Sequence, residues 1–399
     1  MDRLVNTVRP YAWGSVTAIP ELLGQEPTGS PQAELWMGAH PGAPSRTDRG
    51  DGPVPLDELI AADPQAELGA AATARFGTEL PFLFKVLAAG IPLSIQAHPT
   101  LDQARAGFAG EQARGIPLDA AHRNYRDANH KPELICALDE FDGLCGFRRP
   151  ADAAALMAAL DVPGLTPLIE VLRHKPEAEA LREVLADVLS MDEDTAAGLV
   201  RQAAAAVDRA AAADPEGPYG PYTLITREFP GDVGLLAGLL LNHVRLQPGE
   251  ALYLGAGVPH AYLHGTAVEL MANSDNVLRA GLTPKHIDVP ELLKVVVFAA
   301  ADPDVLHPVP VPGTPGEALY PVPIDEFRLS RFDLGDEPRR IDGRAPQIVL
   351  CTAGTTRLTA ADGRTLDLAR GESAFLPATG TDTTLSGPGA TLFRATVTL

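Results

Sequence analysis

Short apolar runs separated by proline and glycine fill the first 149 residues, a pattern typical of β-strands joined by turns. Between about residues 151 and 213 the chain becomes rich in alanine and leucine at helical spacing, which predicts an amphipathic helical insert. After a Pro- and Gly-rich loop the β pattern returns. The pattern predicts strands at 81–87, 93–96, 134–138, 243–246 and 251–254, and helices at 178–189 and 195–213.

The C-terminal segment repeats part of this pattern. Residues 370–377 read Arg-Gly-Glu-Ser-Ala-Phe-Leu-Pro and parallel the Pro-Gly-Glu-Ala-Leu-Tyr-Leu of residues 248–254. Many short strands with Gly-rich turns favour double-sheet jelly rolls over a parallel sheet. We therefore predict a mainly β protein with two jelly-roll barrels and an α-helical insert. The predicted domains are a discontinuous catalytic domain (1–149 and 222–315), a helical insert (150–221) and a C-terminal jelly roll (316–399).

The overall charge excludes some partners. A formal net charge of −20 argues against nucleic acid and anionic membranes, although a phosphorylated substrate needs only a local cluster of cations. The N-terminus shows no signal peptide, and no apolar run is long enough to span a bilayer. Three cysteines without metal-pair spacing indicate buried, reduced thiols. We expect a cytoplasmic protein, a monomer, with a small-molecule substrate.

Three polar stretches within strand-like contexts can together hold one metal ion. Gln96 and His98 leave the same face of an extended segment, because side chains alternate along a strand. Pro132 favours an extended approach to Glu133, and Pro259 stiffens the approach to His260. Two imidazoles, one carboxylate and one amide oxygen suit zinc, which would act as a Lewis acid.

A structural role for these four residues is the alternative to a metal site. Taken singly, each of the four residues is more often structural. The tetrad His-Lys-Pro-Glu at 130–133 recurs at 174–177, where a helical pattern follows and Pro176 indicates a helix start. The second jelly roll has no histidine after its Gly-Glu turn, so we expect it to be metal-free.

A polar block that follows His260 carries further candidates. Glu269, Asp275, Arg279 and Lys285 have the side chains that acid–base work and anion binding require. The alternative is a solvated connection whose charges pair with each other. Lysine is scarce, with five lysines among 32 basic residues, and Lys85, Lys131 and Lys285 all fall in these polar stretches.

Several long motifs in order resemble the type I mannose-6-phosphate isomerase family. They are residues 92–99 (Pro-Leu-Ser-Ile-Gln-Ala-His-Pro), 124–133 (Asn-Tyr-Arg-Asp-Ala-Asn-His-Lys-Pro-Glu), 259–262 (Pro-His-Ala-Tyr), 276–285 (Asn-Val-Leu-Arg-Ala-Gly-Leu-Thr-Pro-Lys), 11–15 and 33–38. The similarity runs to about residue 300, and beyond that point only the layout matches. Arg126 and Ala128 depart from the expected Lys and Pro.

The resemblance implies a zinc-dependent cupin enzyme that interconverts mannose 6-phosphate and fructose 6-phosphate. Zinc would bind Gln96, His98, Glu133 and His260. Arg279 matches the active-site arginine, and Lys131, Glu269 and Asp275 match other pocket residues. Lys85, Ser94 and Lys285 match positions that receive the phosphate or the sugar hydroxyls.

The roles of these groups follow from the chemistry of aldose–ketose isomerisation. Glu269 is our first choice for the base, with Lys131 as the rival. Arg279 would stabilise developing negative charge or hold the phosphate, and Asp275 would assist ring opening. Two other classes remain open at this point: a cupin iron dioxygenase, and a cupin that binds a sugar phosphate without turning it over.

Overall fold

A computed structural model describes the whole chain, residues 1–399. The first part of the chain contains β1 (Asp2–Leu4), β2 (Thr7–Arg9), α1 (Ala18–Leu22), β3 (Glu34–Met37), β4 (Arg46–Asp48), β5 (Pro53–Pro55), α2 (Leu56–Ala62), α3 (Pro64–Leu68), α4 (Ala70–Phe76), β6 (Phe82–Ala89), β7 (Gln96–Ala97), α5 (Leu101–Ala113), β8 (Glu133–Ala137) and β9 (Phe141–Phe147). The helical part contains α6 (Pro150–Ala158), α7 (Thr166–His174), α8 (Glu177–Leu189), α9 (Glu193–Ala213), α10 (Thr223–Glu228) and α11 (Gly234–Leu239), with 3₁₀ turns at Pro163–Leu165 and Gly220–Tyr222.

The rest of the chain is again mainly β. It contains β10 (Leu241–Leu246), β11 (Ala251–Leu254), β12 (His260–Ala272), β13 (Leu278–Arg279), α12 (Val289–Val295), β14 (Val309–Pro310), β15 (Glu317–Tyr320), β16 (Arg328–Asp333), β17 (Arg339–Ile341), β18 (Gln347–Ala353), β19 (Thr355–Ala360), β20 (Thr365–Ala369), β21 (Ser373–Leu376), β22 (Thr383–Ser386) and β23 (Thr391–Thr396). The prediction of a mainly β protein with a helical insert is confirmed.

The long strand β12 organises a ten-stranded sheet. It pairs antiparallel with β6, β7, β8 and β9, so four separate segments of the chain meet along one strand. Its register shifts between Tyr262 and His264, as at a β-bulge. This sheet carries the candidate metal ligands.

The C-terminal part forms a two-layer sandwich. A seven-stranded sheet and a four-stranded sheet enclose a core to which both contribute, for example Val349 and Leu392 from one and Leu358 and Leu385 from the other. Another core joins the seven-stranded sheet to the ten-stranded one. Burying apolar side chains between such layers is the main stabilising contribution in a β sandwich.

The N-terminal strand crosses to the C-terminal sheet. β1 pairs antiparallel with β21, Arg3 lying opposite Ala374. A strand from the first predicted segment thus completes a sheet of the C-terminal segment. The domain bounds given above stay a prediction. The helices likewise continue past residue 221, through α10 and α11 to Leu239, and pack into one apolar core.

Most predicted elements are found, with one clear difference. Helices α8 and α9 and strands β6, β8, β10 and β11 occupy the predicted segments. The predicted strand at 93–96 is mostly irregular, and only β7 (Gln96–Ala97) has ladder pairing. The backbone of Ile95 bonds instead to Gly281 and Ala280 in a neighbouring loop, which satisfies its polar groups without an extended ladder.

The parallel between residues 248–254 and 370–377 is a repeated turn. The amide of Gln247 donates to Glu250 Oε2 at 2.8 Å, and the amide of Ala369 donates to Glu372 Oε2 at the same distance. A strand follows each turn, β11 in one case and β21 in the other. The repeated motif therefore codes for the same turn in both β regions.

None of the helices combines the length and the apolar content that crossing a bilayer requires.

Candidate metal centre and pocket

Three buried side chains converge from three strands. His98 follows β7, Glu133 begins β8 and His260 begins β12, and their exposed fractions are 0%, 1% and 0%. β7 brings the stretch around His98 next to the stretch around His260, because Gln96 lies opposite His260 in the β7–β12 ladder. One ligand atom from each of the three side chains lies within 4.8 Å of the others. The sequence motifs thus meet at one point.

The hydrogen bonds of the two imidazoles fix which nitrogen faces the centre. His98 Nδ1 donates to the carbonyl of Asn276 at 2.8 Å, and His260 Nδ1 donates to the carbonyl of Val258 at 2.9 Å. A carbonyl can only accept, so each neutral ring keeps its lone pair on Nε2. Both rings are therefore oriented as metal-ligating histidines usually are.

These Nε2 lone pairs face a carboxylate. His98 Nε2 lies 3.4 Å from Glu133 Oε1 and His260 Nε2 lies 3.3 Å from Glu133 Oε2. His98 Nε2 is buried and has no hydrogen-bond partner. Acceptors that face one another in a buried place are unfavourable unless a cation lies among them. The three residues therefore fit a divalent metal ion.

The ionisation states of His98 and Glu133 also suit metal binding. Burial lowers the pKa of His98 to about 4, so its imidazole is neutral near pH 7. Burial alone would raise the pKa of Glu133, but the ammonium of Lys131 opposes it, and that pKa lies well below its usual range. Metal ligands must be neutral imidazoles and ionised carboxylates.

Gln96 lies beside this cluster. Its amide nitrogen is 3.4 Å from His260 Nε2. The amide oxygen sits on the same carbon, and half a turn of the group brings it to the same place. The predicted fourth ligand is thus adjacent to the three others.

A pocket of about 750 Å³ lies beside the candidate metal centre, since its lining residue Lys131 contacts Glu133, and it is strongly cationic. Its lining includes seven cationic side chains and two carboxylates: Arg9, Lys85, Arg123, Arg126, Lys131, Arg279 and Lys285 against Glu34 and Asp275. In a chain with a net charge of −20, such a concentration of cations favours an anionic ligand.

Lys85 is held between two carboxylates in the wall of this pocket. Its Nζ lies 2.6 Å from Glu269 Oε2 and 3.3 Å from Glu34 Oε1, and Glu34 Oε2 accepts the indole N–H of Trp36 at 2.8 Å. Burial would lower the pKa of Lys85, but the two carboxylates outweigh it and raise that pKa. Burial raises the pKa of Glu269, with Glu133 and Glu34 adding to the effect.

Glu269 reaches this position because of the register shift in β12. His260 and Tyr262 point to the metal side, and strict alternation would place the odd-numbered residues on the other side. After the shift Met271 lines the pocket, and Glu269 meets the pocket residue Lys85 across the β6 ladder. Gly265 lies within this irregular stretch at φ +120°, where an added Cβ would lie 2.7 Å from the carbonyl oxygen of Glu140.

The other predicted residues fall at different parts of the pocket. Arg279 and Lys285 line it without an ion-pair partner, and Asp275 lies at its edge with Oδ1 3.8 Å from His40 Nε2. Lys131 Nζ bonds Glu133 Oε1 at 3.0 Å. Ser94 is half-buried in the segment before β7 and does not line the pocket.

Several pocket residues were not singled out from the sequence. Arg9 lies over the rings of Tyr11 and Trp36, at 5.4 and 5.1 Å from their centroids. Glu34 and Trp36 lie in a quoted motif, and alternation along β3 places them on one face. Tyr262 shares a face with His260, and its hydroxyl donates to Glu133 Oε2 at 3.4 Å.

Comparison with known proteins agrees with this architecture. The model of the phosphomannose isomerase type I catalytic domain matches residues 1–150. The mannose-6-phosphate isomerase of Escherichia coli (strain K12) is 45% identical over 392 residues, which cover 98% of each chain. The mannose-6-phosphate isomerase of Homo sapiens is 34% identical over 358 residues, covering 82% of this chain and 80% of that one.

Solved structures show the same fold. The mannose 6-phosphate isomerase from Salmonella typhimurium bound to substrate (f6p) and a metal atom (zn) has a TM-score of 0.91 at 42% identity, covering 100% of both chains. A zinc-bound holo mannose 6-phosphate isomerase also has a TM-score of 0.91 at 42% identity, covering 100% of this chain and 99% of that one.

Proposed function

Because this chain belongs to the type I mannose-6-phosphate isomerase family, we propose that it interconverts D-mannose 6-phosphate and D-fructose 6-phosphate with one zinc ion per chain. The observation that carries the proposal is a buried His–Glu–His cluster beside a cationic pocket, with Lys131 lining the pocket and contacting Glu133. A sugar phosphate complements both parts of this arrangement: its hydroxyl oxygens suit the metal centre, and its phosphate dianion suits the cations of the pocket.

The zinc ligands we propose are His98, Glu133, His260 and Gln96. When bound, zinc supplies a Lewis acid that polarises the oxygens on C1 and C2 of the sugar. A single carboxylate among the ligands leaves the site net positive, which favours an electron-rich oxygen as a further ligand.

We assign the proton transfer between C1 and C2 to Glu269. Its raised pKa brings this carboxylate nearer to neutral pH, where a general base is most effective. The base takes the proton from C2 of the aldose, leaving an enediolate; the proton of the C2 hydroxyl passes to O1, and the base returns its own proton to C1 to give the ketose. The neighbouring ammonium of Lys85 lines the pocket and can stabilise the developing oxyanion by its charge.

Lys131 is the alternative base. Its Nζ bonds Glu133, so its charge already has a partner beside the proposed metal ligands. Asp275 lines the pocket, and we assign to it the opening of the sugar ring by taking or giving a hydroxyl proton.

The phosphate end of the pocket is assigned to Arg279 and Lys285. Neither side chain has a carboxylate within ion-pair distance, so both can pair with a phosphate dianion. Lys85 is already paired with two carboxylates, so we assign it to the sugar hydroxyls rather than to the phosphate. Ser94 remains a proposed hydroxyl contact for the substrate.

The test is the formation of fructose 6-phosphate from mannose 6-phosphate before chelation, after chelation and after zinc is restored. We expect turnover to be lost with the metal and recovered with zinc. A zinc-loaded protein that binds the sugar phosphate without turnover would instead support a binding role, and the isomerase proposal would fail.

A further inference from the structure

Most cations of the pocket already have partners within the protein. Lys85 pairs with Glu34 and Glu269, and Lys131 pairs with Glu133. Arg123 Nε lies 3.6 Å from Glu111 Oε2, and Arg9 rests on two aromatic rings and bonds the hydroxyl of Tyr11. Three cations remain without a carboxylate within 4.0 Å: Arg126, Arg279 and Lys285.

These three side chains are close enough to repel one another. Burial is the main reason that the pKa of Arg279 is lowered, and the charge of Arg126 adds to it. Burial also lowers the pKa of Lys285, with Arg279 and Arg126 both contributing. Uncompensated cations held together are unfavourable in the free protein, so a dianion placed among them is stabilised by all three.

The loop that carries Arg126 is fixed on two sides. On the α5 side, Glu111 accepts the amides of Asn124 and Tyr125 at 3.1 and 2.8 Å. On the α12 side, Asn124 Nδ2 donates to Asp288 Oδ2 at 2.8 Å and the Tyr125 hydroxyl donates to Glu291 at 2.7 Å. The amide of Arg126 itself donates to Asn276 Oδ1 at 2.7 Å, in the loop before β13.

Helix α5 contains two unfavourable residues, Gly107 and Glu111, and both contact this loop. Gly107 lies in the middle of the helix, where glycine costs about 1 kcal/mol relative to alanine. A Cβ at that position would lie 2.3 Å from the ring of Tyr125, so the ring packs where a side chain would be. Glu111 is 2% exposed, and its carboxylate is used by the loop amides.

The three contacts together set the position of Arg126 relative to the other two cations. Asn276 precedes β13, which contains Arg279, and Asp288 is the N-cap of α12, three residues after Lys285. The loop is therefore tied to both segments that carry the phosphate-binding candidates. Holding a binding group in place before the ligand arrives reduces the entropy lost on binding.

We propose that Arg126 is a third phosphate-binding residue, presented by the clamped loop 123–126, so that a phosphate monoester dianion lies among Arg126, Arg279 and Lys285. The proposal rests on the function proposed above, since it concerns the phosphate end of the same pocket. Arginine offers a planar pair of donors at this position, where lysine is the residue expected from the family motif.

Arg126→Met tests the proposal in the zinc-loaded protein, with KM and kcat for mannose 6-phosphate and the Kd of inorganic phosphate as the readouts. We expect KM and Kd to rise about tenfold, which is typical of one lost charge-assisted hydrogen bond. We expect kcat to change little, because a phosphate contact is made alike before and during the proton transfer. For Arg126→Lys, we expect KM and the phosphate Kd to lie between the values of the wild type and those of Arg126→Met.

The matched control is Arg105→Met. Arg105 is an exposed arginine of α5 with no ion pair, and it does not line the pocket, so both constants should stay as in the wild type. A wild-type KM and phosphate Kd in Arg126→Met would overturn the proposal. A phosphate Kd that rises in a protein with no isomerase turnover would uphold the phosphate site and defeat the proposed function.

Discussion

Glu269 and Lys85 show how burial sets the chemistry of a single residue. Glu269 is 2% exposed and Lys85 is 5% exposed, and they lie opposite each other in the β12–β6 ladder. The ammonium of Lys85 would lower the pKa of Glu269 if it paired with that carboxylate alone. Because Glu269 is buried and Glu34 shares the same ammonium, the pKa of Glu269 stays raised. The pair can therefore hold and release a proton beside the pocket.

Glu269→Gln should lower kcat by about 10²–10⁴, because an amide cannot take up the proton and general-base catalysis contributes this much. Bound zinc, measured by metal analysis, should stay at one ion per chain, since Glu269 is not among the proposed ligands. A variant that folds, keeps its zinc and turns over at a near-normal rate would remove Glu269 as the base.

The three cysteines were predicted to be buried and reduced, and they are buried and unpaired. Burial raises the pKa of Cys136 and of Cys145 to about 12 and that of Cys351 to about 11. The thiolate is the reactive form. A thiol reagent at pH 7 should therefore modify none of them in the native protein and all three in denaturant; fast labelling of the native protein would contradict this expectation.

At the scale of elements, α5 carries a prediction with an internal control. Gly107→Ala should destabilise the protein by about 1–3 kcal/mol, because the added methyl overlaps the ring of Tyr125. Nothing lies within 4 Å of a Cβ added at Gly110 of the same helix. Gly110→Ala should therefore stabilise by up to about 1 kcal/mol, as alanine does in an open helix position.

Urea unfolding of both variants measures the difference. Gly107→Ala should also raise KM for mannose 6-phosphate, since displacing Tyr125 shifts Arg126, whereas Gly110→Ala should leave KM unchanged. Equal stabilisation by both substitutions would show that the Tyr125 ring moves away freely and that the loop is not clamped.

At the scale of the whole molecule, the two β regions are joined by polar contacts as well as by their shared core. His130 Nε2 lies 2.8 Å from Glu326 Oε1, which links the motif beside the metal centre to the C-terminal region. The hydroxyl of Tyr320 donates to the carbonyl of Gly249 and accepts from the thiol of Cys136. The C-terminal region therefore buttresses the strand β8 that carries Glu133.

The pair His130–Glu326 makes stability depend on pH. Its hydrogen bond lowers the pKa of Glu326 from 4.5 to about 2. A carboxyl group with a depressed folded-state pKa stabilises the protein above its unfolded pKa, and this contribution is lost as the pH falls towards the folded value. Wild type should therefore be more stable than Glu326→Gln above pH 4.5, with a difference that shrinks from about pH 4.5 towards pH 2.

Urea midpoints across this pH range test the expectation. Glu337→Gln is the control, because Glu337 is exposed in the same region and has no ion pair. A difference between wild type and Glu326→Gln that stays constant with pH would show that the contact does not depend on the charge of Glu326.

The sequence by itself determined which side-chain types are offered as candidate metal ligands and the local structure around them. Pro132 and Pro259 favour extended backbone at the residues that precede them, and together with the apolar runs around Glu133 and His260 they indicated strands there. The helices α8 and α9 followed from apolar spacing, and the repeated Gly-Glu turn followed from its residues. Each of these features depends on neighbours in the chain, which a sequence displays directly.

Only the tertiary structure decided which charges are paired and which face Glu269 takes. The register shift near Gly265 reverses the alternation of β12, and no local pattern fixes where a ladder slips. Lys85 and Lys131 have partners, whereas Arg126 and Lys285 have none, because strands distant in sequence bring carboxylates to some cations and not to others. The pairing of β1 with β21 has the same cause: long-range contacts are chosen by packing of the whole core, which no short segment encodes.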